Sequence, residues 1–234
     1  MSARPADHPT NRPDTVQTSR PIDLRVYLIT DAQQCEGLGI IATVEAAVRG
    51  GVTVVQLRDS TAPDDEFIRM GQELSAALKG SGVPLIIDDR VELVEAIGAD
   101  GAHVGQSDLP AEEARRVLGP DALLGLSVSR ASEIDVARGF ADGTIDYLGV
   151  GPVWATSSKP NHGPTIGLDG LSELSARSPW PVVAIGGINV ERLASVRRNG
   201  GDGGAVISAV CGQEDPEAAS AQLLAAWERG RPRA

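Results

Sequence analysis

The sequence predicts a single (β/α)8 barrel, the TIM-barrel architecture in which eight parallel strands alternate with helices. From residue 24 onward, short Val- and Ile-rich runs alternate with longer amphipathic stretches, and strict alternation favours one parallel sheet. Eight such units within about 210 residues suit a compact barrel. The alternative is an open Rossmann-like sheet. It would require a Gly-x-Gly-x-x-Gly turn after the first strand, where the chain has Thr30-Asp31-Ala32-Gln33.

Each strand is predicted where a short apolar run ends in a polar or glycine-containing turn. In chain order the strands are Val26–Thr30, Val52–Arg58, Pro84–Asp88, Gly101–Val104, Leu123–Ser127, Tyr147–Val150, Val182–Ile185 and Gly204–Ile207. Helices are predicted where apolar residues recur every three or four positions, as Phe67, Met70, Leu74 and Leu78 do. The clearest are Asp65–Leu78, Val91–Ile97, Pro110–Val117, Glu191–Arg198 and Pro216–Arg229.

Composition and charge limit the classes of function. The chain has 234 residues, 41% of them hydrophobic but only 3% aromatic, so Val, Ile, Leu and Ala must build the core. A net charge of −11 argues against a nucleic-acid binder, which needs a basic face. An anionic ligand must therefore be held locally, by a metal, a few cations and backbone N–H groups.

The N-terminal segment differs in composition from the rest of the chain. Residues 1–21 are rich in proline and polar residues and are expected to form a flexible, disordered tail, leaving residues 22–234 as the barrel domain.

No apolar run approaches the roughly 20 residues that cross a bilayer. Cys35 and Cys211 have no metal-ligand spacing and are expected to be reduced thiols in a cytoplasmic protein. A homo-oligomer is compatible with the sequence.

Asp89 and Asp108 follow two neighbouring predicted strands. Because carboxyl ends of parallel strands meet at one end of a barrel, these carboxylates can converge on one hard cation such as Mg²⁺. The alternative is that each caps a helix, since Asp89 precedes Glu92 by three residues and Asp108 precedes Pro110. Helix caps contribute about 1 kcal/mol each.

Arg58 and Gln56 share one orientation at the end of the second strand, by strand alternation. An inward Arg needs an anionic partner, either a diphosphate bound in bidentate fashion or a structural ion pair with Asp89 or Asp108. His103 lies in mid-strand and is expected to be a hydrogen-bonded core residue rather than a catalyst.

Two glycine-rich segments end the last two predicted strands. Ala184-Ile185-Gly186-Gly187-Ile188 and Gly203-Gly204-Ala205-Val206-Ile207-Ser208 occupy the positions where barrels often hold a phosphate with backbone N–H groups. Tight turns alone are the alternative. The long connection from Val153 to Gly167 contains Thr156-Ser157-Ser158-Lys159 and is expected to be a phosphate-binding flap.

The chain resembles the thiamine phosphate synthase family over nearly all of residues 24–229, with order and spacing preserved. The resemblance lies in Tyr27-Leu28-Ile29-Thr30-Asp31, Gln56-Leu57-Arg58, Asp89-Arg90-Val91, Gly101-Ala102-His103-Val104-Gly105-Gln106-Ser107-Asp108-Leu109-Pro110, Gly151-Pro152, Thr156-Ser157-Ser158-Lys159 and Ala184-Ile185-Gly186-Gly187-Ile188.

This resemblance implies a transferase of thiamine biosynthesis that joins hydroxymethylpyrimidine diphosphate to thiazole phosphate and releases diphosphate. It implies that Asp89 and Asp108 bind Mg²⁺ and that Arg58, Ser127 and Lys159 are catalytic. The implied substrate-binding residues are Gln56, Leu57, Arg58, Asp59, Ser60, Asp88, Ser127, Thr156, Ser157, Ser158, Lys159, Gly187, Ile207 and Ser208. The implied partners are these small molecules, without nucleic acid or membrane.

The sequence departs from the family pattern at two positions. The family usually has Lys where this chain has Ser60, and Asn where it has Asp88. Together the changes shift the charge around a polyanion by −2. They leave open a paralogue that binds thiazole or thiamine phosphate without catalysis. A thiazole tautomerase-like paralogue is the other alternative, but it would carry a histidine after the fifth strand, where Ser127-Val128-Ser129-Arg130 stands.

Overall fold

Eight parallel strands close into a barrel in chain order, and β8 pairs with β1. The computed structural model describes residues 21–156 and 164–231. The strands are β1 (Val26–Ile29), β2 (Val54–Leu57), β3 (Leu85–Asp88), β4 (Gly101–Val104), β5 (Leu123–Val128), β6 (Tyr147–Val150), β7 (Val182–Ala184) and β8 (Gly203–Val206). All eight predicted strands are confirmed. The Rossmann-like alternative is excluded, because an open sheet has two unpaired edges and this sheet has none.

A helix follows every strand. The helices are α1 (Ile40–Arg49), α2 (Asp64–Leu78), α3 (Val94–Ile97), α4 (Ala111–Leu118), α5 (Ala131–Ala137), α6 (Gly167–Arg177), α7 (Val190–Arg198) and α8 (Pro216–Arg229). The predicted helix Val91–Ile97 is divided, since its first turn, Val91–Leu93, is a 3₁₀ turn. The other predicted helix boundaries agree with the observed ones or differ by one residue, which is within the ordinary fraying of helix ends.

Strand alternation separates two apolar layers. On β1, Tyr27 and Ile29 belong to a small cluster inside the barrel, whereas Val26 and Leu28 belong to the large cluster between sheet and helices. Because successive side chains point to opposite faces, the same parity holds around the barrel. The inner cluster is small, so polar side chains occupy the inward positions near the carboxyl ends of β2 to β5.

The amino-terminal end of the barrel is closed by a buried ion pair. Arg115 Nη2 lies 2.7 Å from Asp146 Oδ2, and the Asp146 side chain is only 2% exposed. The same carboxylate oxygen accepts a hydrogen bond from the backbone N–H of Leu124, and Arg115 also donates to three backbone carbonyls. These bonds join α4, β5 and the loop before β6 at the amino-terminal end of the barrel.

Three sequence predictions fall partly or wholly on residues that the structure does not describe. They are the N-terminal tail, the serines and lysine of Ser157-Ser158-Lys159, and the central part of the predicted flap. Within the described ranges, no helix is both long enough and apolar enough to cross a membrane.

Candidate active site at the carboxyl end of the barrel

A cavity opens at the carboxyl ends of the strands, where catalytic sites of (β/α)8 barrels lie. Its empty space is ≈ 810 Å³, including the part open to solvent. Charged and hydrogen-bonding side chains line one side, and loop glycines and apolar side chains from β7 and β8 line the other.

The first polar cluster joins β2 to β3. Gln56 and Arg58 point inward from β2, as alternation predicts, and Asp88 points inward from β3. Gln56 Nε2 donates to Asp88 Oδ1 at 2.6 Å, and Arg58 Nε lies 3.4 Å from Asp88 Oδ2. The side chains of Arg58 and Asp88 are 21% and 15% exposed, so the pair is shielded but reachable from the cavity. The anionic partner of Arg58 seen here is Asp88, whereas the ion-pair alternative of the sequence analysis named Asp89 or Asp108.

A chain of four polar groups crosses the barrel beside this cluster. The hydroxyls of Tyr27 and Tyr147 lie 3.0 Å apart, His103 Nδ1 is 3.2 Å from the Tyr147 hydroxyl, and His103 Nε2 is 2.9 Å from Ser127 Oγ. Burial raises the pKa of Tyr27 and of Tyr147 well above the usual value, and the nearby Asp88 carboxylate raises both further. Both phenols therefore stay neutral, and the chain ends in the Ser127 hydroxyl at the cavity.

Two glycines make room for this chain. A Cβ at Gly125 would lie 2.3 Å from His103 Nδ1 and 2.3 Å from the Tyr147 ring. A Cβ at Gly149 would lie 2.9 Å from the imidazole. The rings of His103 and Tyr147 thus occupy space that any other residue at these two inward positions would fill.

Asp89 and Asp108 follow β3 and β4 directly. Asp89 is exposed and has φ of 60°, a left-handed conformation that non-glycine residues rarely adopt. Asp108 Oδ2 accepts a hydrogen bond from the backbone N–H of Gly105 at 2.7 Å. It therefore closes its own turn and does not cap α4, whose N-cap residue is Pro110 and has no side-chain cap.

The carboxylates of Asp89 and Asp108, after β3 and β4, are the kind of ligand that Mg²⁺ prefers. Over the described ranges no three His, Cys, Asp or Glu side chains come together as a metal cluster, so Asp88 does not extend the Asp89 and Asp108 pair into a protein-only cage. Mg²⁺ is usually bound by one or two carboxylates, with water and substrate phosphate completing its shell. Asp108 Oδ1 makes no bond within residues 21–156 and 164–231, which leaves it available as a ligand.

The opposite side of the cavity consists of the loops after β7 and β8. Gly186 and Gly187 have φ of 96° and 64°, and a Cβ at either would clash with the segment Pro152–Ala155. The backbone N–H groups of Gly186, Gly187 and Ile188 have no acceptor in the described part of the chain. Asn189 caps α7 just beyond them, at 3.0 Å from the N–H of Arg192. Unpaired N–H groups before a helix N-terminus form a concave site for an anion.

The implied substrate-binding residues divide into three sets by position. Those that line the cavity are Gln56, Arg58, Asp88, Ser127, Thr156, Gly187, Ile207 and Ser208. Ser157, Ser158 and Lys159 lie outside the described residues. The remaining three, Leu57, Asp59 and Ser60, do not line the cavity.

These last three positions have clear local roles. Leu57 is 1% exposed and packs in the outer apolar layer, so only its backbone could reach a substrate. Asp59 closes the turn after β2 through hydrogen bonds from Thr61 and Ala62. Ser60 is exposed at the rim.

The sequence does not identify Tyr27 and Tyr147 as site residues, and it predicts His103 to be a core residue. The prediction that His103 is hydrogen-bonded is confirmed, but its ring also lines the cavity. The available signal was the inward parity of Tyr27, His103 and Tyr147 on their strands. Parity alone does not tell which inward residues from distant strands meet.

A barrel with a charged corner after β2 to β4 and an anion-binding corner after β7 and β8 belongs to the class of (β/α)8 enzymes that bind phosphorylated small molecules. Within that class, the thiamine monophosphate synthase family model matches residues 26–210. The chain belongs to this family.

Similar proteins agree with that assignment. The thiamine-phosphate synthase of Psychrobacter sp. strain PRwf-1 is 45% identical over 202 residues, covering 86% of this chain and 94% of that protein. The thiamine-phosphate synthase of Roseiflexus sp. strain RS-1 is 46% identical over 200 residues, covering 86% and 84%. The solved thiamine phosphate pyrophosphorylase of Pyrococcus furiosus superposes with a TM-score of 0.79 at 35% identity, covering 89% of this chain and 97% of that one.

Proposed function

We propose that this chain is a thiamine phosphate synthase, a transferase that joins hydroxymethylpyrimidine diphosphate to thiazole phosphate and releases diphosphate. The observation that carries the proposal is that one cavity has two separate anion-binding corners. Arg58 occupies the first, and the second consists of the N–H groups of Gly186 to Ile188, which have no acceptor in the described part of the chain. Two phosphorylated substrates that react with each other require this arrangement.

In the proposed reaction the bond between the pyrimidine methylene carbon and the diphosphate oxygen breaks first. Negative charge grows on the departing diphosphate, so the guanidinium of Arg58 stabilises the transition state more than the ground state. By the family resemblance Lys159 acts with it. Gln56 holds Asp88 beside Arg58 and thereby fixes where the guanidinium lies.

The resulting pyrimidine methyl cation is captured by the thiazole nitrogen. Thr156, Gly187, Ile207 and Ser208 are proposed to hold the thiazole phosphate so that this nitrogen is close when the cation forms. Proximity matters because water competes for the same carbon, and the apolar side chains of Val183 and Ile185 restrict water at that side of the cavity. The Ser127 hydroxyl, fixed by His103, is proposed to orient the pyrimidine.

Asp89 and Asp108 are proposed to hold Mg²⁺ at the diphosphate corner. When bound there, a divalent cation would neutralise negative charge on the diphosphate oxygens. The protein contributes two carboxylates at neighbouring strand ends, and the substrate phosphates complete the site. We also propose that the protein acts in the cytoplasm on small molecules alone.

The test is to incubate the protein with both substrates and Mg²⁺ and to follow diphosphate and thiamine phosphate by chromatography. Asp89→Ala is the inactive reference. Asp142→Ala is the matched control, because Asp142 is an exposed aspartate in the loop before β6, at the opposite end of the barrel. Equal formation of both products by wild type and Asp142→Ala supports the proposal. Wild-type product no greater than that of Asp89→Ala would refute it.

A further inference from the structure

Arg192, in the first turn of α7, lies directly behind the anion-binding loop. Its Nη1 donates to the backbone carbonyl of Gly187 at 2.7 Å. That carbonyl and the N–H of Ile188 belong to one planar trans peptide, so they point in opposite directions. Holding the carbonyl therefore also fixes the direction of an N–H group that has no acceptor in the described ranges.

The same guanidinium stacks on Trp154, with Cζ 5.0 Å from the ring centroid. Trp154 belongs to the segment after β6 that leads to Thr156 on the cavity wall. This segment lies alongside the loop after β7 and is hydrogen-bonded to it. Val153 N–H donates to the carbonyl of Ile185 at 2.8 Å, and Trp154 N–H donates to the carbonyl of Gly186 at 3.1 Å. Arg192 thus contacts two of the three segments that carry the proposed ligands of the thiazole phosphate, and the third is the loop after β8 with Ile207 and Ser208.

The charge of Arg192 is placed against the field of its helix. A cation in the first turn opposes the helix macrodipole and is therefore unfavourable there. Within residues 21–156 and 164–231, Arg192 forms no ion pair that would offset this cost. A phosphate at the neighbouring loop would offset it.

We propose that Arg192 is a positioning residue for the thiazole phosphate, which sets the peptide after Gly187 and the segment leading to Thr156 in one arrangement. The inference rests on the proposed synthase function and deepens it. Arg192 and Trp154 do not line the cavity, so Arg192 acts through the two segments it joins. The proposed role predicts that binding of thiazole phosphate depends on Arg192, whereas binding of pyrimidine diphosphate does not.

The experiment compares wild type with Arg192→Gln, which removes the charge and the planar fork. Arg198→Gln is the matched control, since Arg198 is exposed on the last turn of the same helix and, within the described residues, its side chain donates only to Ser195. Binding of thiazole phosphate is measured by calorimetry, which needs no turnover. Steady-state kinetics then give KM for each substrate, and thermal unfolding gives Tm.

We expect Arg192→Gln to weaken thiazole phosphate binding about tenfold, as for loss of a charged hydrogen bond. KM for pyrimidine diphosphate should stay within about twofold, and Arg198→Gln should resemble wild type in every measurement. Thiazole phosphate binding unchanged in Arg192→Gln would overturn the inference. An equal rise of both KM values would also overturn it, because that is the result of a general structural role.

Two further controls keep the test decisive. If Arg192→Gln lowers Tm by more than about 4 °C, Arg192→Lys replaces it, since Lys keeps the charge but cannot stack and donate as a planar fork. Weaker thiazole phosphate binding by Arg192→Lys supports the inference, and unchanged binding overturns it. A wild-type protein that binds thiazole phosphate but forms no thiamine phosphate would refute the synthase function and leave the Arg192 result interpretable.

Discussion

Replacing Asp88 by Asn should improve binding of the pyrimidine diphosphate. Asp88 holds the guanidinium of Arg58 in a pair whose side chains are 15% and 21% exposed, so diphosphate must compete with this carboxylate for Arg58. At 3.4 Å and an effective dielectric constant of about 20, the attraction between the two charges is about 5 kcal/mol before desolvation. Net values for hydrogen bonds to charged groups are about 1.5–3 kcal/mol.

The lower end of that range corresponds to roughly a tenfold change in an equilibrium constant. We therefore expect Asp88→Asn to lower KM for pyrimidine diphosphate about tenfold. Asn keeps an oxygen that can accept the hydrogen bond from Gln56, so the geometry of the corner is retained. Adding Ser60→Lys at the exposed rim should raise kcat/KM by about a further twofold to fivefold, an effect that salt weakens.

The assay is steady-state diphosphate release at low and high ionic strength, with Asp142→Asn as the charge-matched control at the other end of the barrel. Asp142→Asn makes the same change in net charge, so any difference from Asp88→Asn reports the local pair. A KM that is unchanged or higher in Asp88→Asn would contradict the reasoning. It would mean that Asp88 organises Arg58 for the substrate more than it competes with it.

Three other predictions concern stability. Asp146→Asn should lower the free energy of unfolding in urea by about 3–5 kcal/mol because it leaves Arg115 buried without its counter-charge, and activity per folded molecule should persist. Gly125→Ala should lower both stability and activity because the added Cβ enters the space of the imidazole and phenol rings, whereas Gly37→Ala, which meets nothing within 4 Å, should be neutral in both assays. Burial raises the pKa of Asp59, but hydrogen bonds from its own turn lower it more, so the net shift is downward. The stability that this carboxylate contributes is therefore fully present above its ordinary pKa of 3.8 and is lost as pH falls through the lower folded-state pKa. Asp59→Asn should reduce Tm at pH 7, and the reduction should shrink as the pH is lowered below 3.8.

The barrel could be predicted from the sequence because each strand is buried on both faces. Such strands appear as short continuous apolar runs, as in Leu85–Asp88, and their ends are marked where polar residues begin. The inward orientation of Gln56 and Arg58 followed from the same alternation. The division of the predicted helix Val91–Ile97 could not be predicted, because its periodicity is the same whether the first turn is 3₁₀ or α.

The parts of the site that the sequence did not reveal are contacts between distant strands. The hydroxyls of Tyr27 and Tyr147 are separated by 120 residues in sequence and 3.0 Å in space, and no single motif contains both residues. The space for His103 depends on Gly125 and Gly149, which in the sequence look like ordinary strand glycines. Pairings of this kind depend on strand register, which apolar periodicity does not determine.

The backbone conformation of Asp89 depends both on its own turn and on a contact with the neighbouring strand β4. Its φ of 60° suits glycine, and a non-glycine residue held there costs about 1–3 kcal/mol. The surrounding backbone maintains this conformation, because Asp89 N–H donates to the carbonyl of His103 on β4 and the next two N–H groups close tight turns over Asp88 and Asp89. Glycine would relieve the strain but would remove the carboxylate. A strained backbone that keeps an acidic side chain at a barrel strand end is the arrangement expected of a functional carboxylate, which supports the proposed metal role more directly than its position in the sequence.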